Sequence, residues 1–197
     1  MSNNHISTED GTEIVRTAKK KGIPITAETC PHYFTLTEDA VERYNTHAKM
    51  KPPLRSKRDR AAILEGLADG TLDIIASDHA PHHPHSKEKE FSQAPFGIIG
   101  LETIFSLTYD ELVLKKVISP LEAVAKLTDN PARAFRLPGG SLSEGSPADI
   151  AIFDPKMLWT VGGFASKSMN SPFIGRRLQG RVVTTIVGGK TVYKLAP

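Results

Sequence analysis

The run Ser77-Asp78-His79-Ala80-Pro81-His82 sets a carboxylate and two imidazoles almost side by side. It follows Leu72, Ile74, Ile75 and Ala76, so it reads as an apolar strand that ends in an ionisable tip. A barrel strand has this form where its C-terminal end enters an active site. A core strand leading into a solvated loop would account for Asp78 alone, but not for the histidines clustered beside it. His5 opens the chain in His5-Ile6-Ser7-Thr8, as though at the end of a strand, and His32 stands at another tip, Cys30-Pro31-His32-Tyr33. Tips of parallel strands converge on one face however far apart they are in sequence. Imidazole with carboxylate suits a divalent ion such as zinc, which lowers the pKa of water towards about 7. An aspartate beside that water can be both ligand and general base. With Asp78 in that role, His82 is better placed to reach a bound substrate. His79 points the other way along the strand and orients neighbours or fills structure. His32 is a further candidate, whereas His47, His83 and His85 read as solvated loop residues.

Alternating helices and strands must position these tips. Residues 12–22 read as a helix stopped by Gly22, and residues 23–29 as a strand. Thr37 caps a short helix through Tyr44, and Lys49-Met50-Lys51-Pro52-Pro53-Leu54-Arg55 is an extended, cationic loop. Ser56 caps a helix over residues 57–68 that buries Ala61, Ile63, Leu64 and Leu67. The strand carrying Asp78 follows, then a polar loop over residues 83–97 of a length typical of binding loops. Helices are expected from Ile98 to about Leu107, from Asp110 to Val117, after the cap Ser119, and around 130–135. Beyond residue 138 the pattern changes to strands: 148–154, then a hairpin of 180–187 and 190–193 about Gly188-Gly189. The fold class is therefore α/β, with parallel strands and helical crossovers before residue 138 and short strands after it.

Composition narrows the function classes. Across 197 residues, 39% are hydrophobic and 24% charged, enough for a soluble core. The net charge of +3, with lysine and arginine scattered, gives no nucleic-acid footprint. No apolar run has the length of a membrane span, and the opening residues do not form a signal peptide. The single cysteine, Cys30, rules out an intramolecular disulfide and fits a reducing compartment. The expectation is a soluble cytoplasmic protein with a small-molecule substrate, and no nucleic-acid or membrane partner.

Four motifs in order, with runs in the tail supporting them, carry a resemblance. His5-Ile6-Ser7-Thr8, the 49–55 run, Ser77 to His82, Ala94-Pro95-Phe96-Gly97-Ile98-Ile99-Gly100-Leu101-Glu102-Thr103, and the tail runs Gly145 to Ile150 and Asn170-Ser171-Pro172-Phe173 look like bacterial dihydroorotase of the amidohydrolase superfamily. The resemblance implies a (β/α)8 TIM barrel with a small composite β domain. Residues 1–138 would supply about strands 6 to 8 of the barrel, and residues 139–197 part of the β domain. It implies zinc, one or two ions, and interconversion of dihydroorotate and N-carbamoyl-L-aspartate in pyrimidine biosynthesis. By position, His5 and Asp78 resemble metal ligands, and Asp78 the general base. His82, Phe96 and Gly97 resemble the substrate contacts. Lys51 falls where the family usually has a substrate-contacting asparagine, so a cation replaces an amide there. The family's first-strand His-x-His pair, its bridging carboxylated lysine or aspartate and its fifth-strand histidine have no counterpart, so the chain looks like a C-terminal half, inactive alone. Two alternatives stand beside this: a cyclic amidase of allantoinase or dihydropyrimidinase type, and a non-catalytic scaffold for aspartate transcarbamoylase. A homodimer and aspartate transcarbamoylase are the protein partners the resemblance suggests.

Overall fold

The computed structural model describes residues 2–3 and 5–196. Strand β1 (Ser2–Asn3) leads to helix α1 (Glu9–Lys20). Thr8 caps α1 by accepting the Gly11 N–H, with Glu9 and Asp10 at the positive end of the helix and Lys19 and Lys20 at the negative end. The helix thus starts before the expected Thr12; the glycine in its first turn concealed the start. Strand β2 (Thr26–Thr29) is shorter than the expected 23–29, and Pro24 interrupts that stretch. Helix α2 (Pro31–Thr35) follows at once, with proline in its first turn.

The expected helix after Thr37 is instead a pair of tight 3-10 turns broken at Glu42 and Arg43, and Thr37 makes no capping bond. Helix α3 (Lys57–Ala68) has the expected bounds, closed by a capping box in which Ser56 and Asp59 satisfy each other's backbone N–H. Its buried face is Ile63, Gly66 and Leu67, while Ala61 is exposed. Gly66 turns the helix this way, because a Cβ there would lie 2.7 Å from Thr12 Cγ2 on α1. Strand β3 (Ile74–Ile75) completes a parallel sheet of order β1-β2-β3, with Ser2 opposite Thr26 and Glu28 opposite Ile74. Each crossover carries a helix, α1 and then α3, as parallel pairing requires. Between sheet and helices lies a core of Ile6, Val15, Ala27, Phe34, Ile63, Leu67, Leu72, Ile75 and Leu112.

The 83–97 loop contains one turn of helix, α4 (Pro84–Lys87). Ile98 does not open a helix as expected. It makes a single isolated parallel bridge to His79, just beyond β3, and helix α5 (Ile104–Thr108) begins later and continues as a π turn through Val113. Gly100 permits this pairing, since a Cβ there would sit 2.1 Å from the Ser77 carbonyl oxygen. Helix α6 (Pro120–Leu127) has the expected Ser119 cap, and α7 (Asp129–Phe135) follows. A second, antiparallel sheet holds β4 (Ile150–Thr160), β5 (Arg177–Val187) and β6 (Lys190–Lys194). Gly188 and Gly189 turn the hairpin at φ +53° and +77°, as a tight turn between twisted strands demands. An apolar cluster of Cys30, Tyr33, Met50 and Ile98 with Val161, Phe173 and Leu178 fixes this sheet against the parallel part. Among the described residues no helix is long and apolar enough to cross a membrane.

Candidate active site

The parallel strands end on one side, and their tips meet. His5 follows β1, Glu28 and Thr29 end β2, Cys30 and His32 begin α2, and Asp78 follows β3. His5 Nδ1 lies 3.1 Å from Glu28 Oε1, and His5 Nε2 lies 3.5 Å from Asp78 Oδ1. His32 Nε2 approaches Asp78 Oδ2 at 3.8 Å, and Cys30 Sγ is 3.5 Å from His5 Nδ1. Both His5 and Asp78 adopt left-handed backbone, φ +58° and +46°. Such a conformation costs a non-glycine residue free energy and persists only where the surroundings over-determine it. Here it turns both side chains towards the same point.

Burial sets the electrostatics. Glu28 is pushed above the usual carboxylate range by burial, raised further by Asp78 and opposed by His5. Asp78 is likewise pushed up by burial, against the pull of His5. Burial, with Asp78 and Glu28 nearby, raises the Cys30 thiol well above its ordinary value. His32, 1% exposed, is brought down to about 3 by burial and by His5, so it is a neutral imidazole. Its Nε2 is buried and has no hydrogen-bond partner. A buried imidazole nitrogen left without a donor is a place where a cation would restore the lost interaction. Cys30, His32 and Asp78 present a sulfur, a nitrogen and an oxygen within 4.8 Å of one another, a donor set that fits zinc.

Of the residues expected from the sequence, His5 and Asp78 are together and His32 joins them. His82 lies further along the tip. Its Nε2 is 2.7 Å from the Phe96 carbonyl, which can only accept, so the imidazole carries its proton on Nε2. Gly97 neighbours it at φ +112°, and a Cβ there would meet Ala80 Cβ at 2.5 Å. His79 Nδ1 accepts from the Gly100 and Leu101 N–H groups at 3.2 and 3.4 Å, the orienting role expected of it. Lys51 is exposed, and among the described residues no hydrogen bond or ion pair ties it to the His5–Asp78 cluster. Phe96 shows half its surface, with its ring 4.6 Å from Lys49 Nζ.

Sequence reasoning missed Glu28 and Cys30 as members of the cluster, although both stand at the β2 tip beside His32. It also gave no role to Lys49, one cation of the extended 49–55 loop, or to Lys87 in the polar 83–97 loop. Lys49 and Lys87 are 7% and 2% exposed. Lys87 Nζ donates to the carbonyls of Pro95 and Gly97 at 2.9 and 3.1 Å, and Lys49 Nζ to those of Ser92 and Ala94 at 3.2 and 2.6 Å. These ammonium groups hold the loop that carries Phe96 and Gly97.

Comparison with known proteins gives the family and the fold. The chain is 55% identical over 194 residues to the dihydroorotase of Endomicrobium trichonymphae, covering 97% of this chain and 46% of the relative. It is also 55% identical to the dihydroorotase of Syntrophotalea carbinolica, covering 98% of this chain and 45% of that protein. The chain therefore spans just under half the length of these curated relatives. Among solved structures, the L-hydantoinase (dihydropyrimidinase) of Arthrobacter aurescens superposes with a TM-score of 0.90 at 31% identity, over 100% of this chain and 45% of that one. The amidohydrolase family model matches residues 3–192, and the chain belongs to that family.

Proposed function

We propose that this chain is the C-terminal part of a zinc-dependent dihydroorotase, which interconverts dihydroorotate and N-carbamoyl-L-aspartate in pyrimidine biosynthesis. The observation that carries the reading is the approach of His5 Nε2 to Asp78 Oδ1, 3.5 Å, from strands at opposite edges of the parallel sheet. The β1, β2 and β3 strands correspond to about strands 6, 7 and 8 of a (β/α)8 barrel, and residues 139–197 to part of the composite β domain. His5 and Asp78 would hold zinc, one ion or two, with His32 facing it from β2's end. A bound ion supplies Lewis acidity to the ring carbonyl and to the attacking water. Asp78 takes the proton of the attacking water and returns it to the amide nitrogen that leaves. His82, Lys51, Phe96 and Gly97 bind the pyrimidine ring and its carboxylate. The reading favours dihydroorotate over hydantoin-like rings because the dihydroorotase relatives are 55% identical and the hydantoinase 31%. Retention of His5, Asp78 and His82 argues against a non-catalytic scaffold for aspartate transcarbamoylase, which has no chemical need of them. The homodimer expected from the resemblance stays part of this proposal.

In the complete polypeptide, Asp78→Asn should lower kcat by about 10²–10⁴-fold. Near-normal turnover would remove the general-base assignment. Three parallel strands leave two open edges and cannot close a barrel. The 197-residue chain by itself is therefore expected to bind zinc weakly and to turn over nothing. Zinc-dependent hydrolysis of dihydroorotate by the chain alone would contradict that.

A further inference from the structure

We infer that Asn170, in the segment between β4 and β5, is a positioning residue that sets the substrate-facing loops from the side of the second sheet. The inference rests on the reading above, in which His82 and Gly97 face the substrate. Asn170 is 2% exposed, and its three side-chain hydrogen bonds among the described residues all go to backbone of those loops. Its Oδ1 accepts the His82 N–H at 3.2 Å, and its Nδ2 donates to the carbonyls of Ala80 at 2.9 Å and Gly97 at 3.1 Å. Its own carbonyl accepts the Ile99 N–H at 3.0 Å. One residue thus bonds to two runs, 80–82 and 97–99.

These runs start as a parallel pair, through the His79–Ile98 bridge and the Ala80 N–H to the Ile98 carbonyl at 2.8 Å. On this edge the next rung would use the Ala80 carbonyl and the His82 N–H, but the Gly100 N–H turns to His79 Nδ1 at 3.2 Å instead. Past that point the carboxamide replaces the missing rung, presenting a peptide-like acceptor and two donors in one plane. The partners also fix its orientation: one N–H faces Oδ1 and two carbonyls face Nδ2, so the amide cannot be reversed without losing all three bonds. The Gly97 carbonyl has a second buried donor, Lys87 Nζ at 3.1 Å. The side chain thereby couples the second sheet's connecting segment to the backbone from which the His82 imidazole projects and to the Gly97 peptide. No other side chain of asparagine's length offers one acceptor and two donors, and glutamine adds a methylene to a filled space.

The test is steady-state kinetics with dihydroorotate in the complete polypeptide, for Asn170→Asp, Asn170→Ser and His82→Ala. Asn170→Asp turns a carboxylate against the carbonyls of Ala80 and Gly97 without changing volume. KM should rise about tenfold or more, with kcat at saturating substrate within about threefold of wild type. Asn170→Ser, which keeps a hydroxyl but cannot span the runs, should move KM in the same direction by a smaller factor and decides the matter if the aspartate variant does not fold. A contact that matters only for folding would lower the active fraction, and so kcat, with KM unchanged; that result in either folded variant overturns the inference. His82→Ala separates the two levels. If it raises KM while the Asn170 variants keep the wild-type KM, only the positioning role fails. If His82→Ala leaves KM and kcat unchanged, the substrate-side reading fails, and the inference with it.

Discussion

Lys49→Met asks what holds the loop over residues 87–97 in place. Lys49 is 7% exposed, and its ammonium faces the carbonyls of Phe91, Ser92 and Ala94 with no carboxylate among them. Methionine keeps the apolar stem and much of the volume, so the perturbation is the loss of three donated bonds. An unpaired buried carbonyl costs about 1–3 kcal/mol. Ser92 is exposed and Phe91 partly so, which lets water take over there, whereas Ala94 is 3% exposed and its carbonyl would be stranded. One stranded carbonyl and two rehydrated ones amount to about 3 kcal/mol. Lys87→Met is the internal control. Of its three acceptors, the Lys49 carbonyl also takes the Gly97 N–H at 2.9 Å and the Gly97 carbonyl also takes Asn170 Nδ2 at 3.1 Å. Only the Pro95 carbonyl loses its partner, and removing a buried charge offsets part of that, so the cost should be about 1 kcal/mol or less. Urea unfolding near neutral pH measures both, and amide hydrogen exchange over 87–97 shows where the loss falls. Equal costs, or a larger cost for Lys87→Met, would refute the carbonyl-cradle argument.

The same lysine gives a pH dependence. Burial, then the facing Lys49 ammonium, pulls Lys87 from the usual 10.5 down to about 8. Between those values the unfolded chain keeps a proton that the folded chain has released, so stability rises with pH across that window. Wild type should gain on Lys87→Met between about pH 7 and about pH 9.5, by about 1–3 kcal/mol, with the carbonyl cradle holding the gain to the low end. A stability gap between the two that is flat with pH would contradict this. Gly100→Ala should destabilise by about 1–3 kcal/mol, because its Cβ would meet the Ser77 carbonyl oxygen at 2.1 Å and backbone has no easy way to yield. An unchanged melting temperature would show that the close approach beside Asp78 is not needed.

What was legible in the sequence was what local chemistry fixes. Ser56 and Ser119 each stand three residues before a carboxylate, and both helices begin there with reciprocal caps. Gly188-Gly189 dictated a hairpin for the same local reason. The site's outline was legible too, because alternating helices and strands force parallel tips together, and the histidines stood at those tips. The errors came where a distant contact decided. Ile98 looked like the first turn of a helix, but a single bridge to His79 holds it extended. Ala61 belonged to the apolar stripe of α3, but the close contact of Gly66 with α1 rotated that stripe towards Thr12. The burial of Lys49 and Lys87 was not legible, since nothing within a few residues could announce the carbonyls that the folded loop brings to them. Asn170 was the least legible, because its partners are 73 to 90 residues away and are all backbone atoms. A motif records side chains, whereas a backbone-to-carboxamide contact leaves its mark only on the asparagine itself. The residues that do chemistry at strand tips can therefore be found by type and spacing, but the residues that aim them emerge only once the chain is folded.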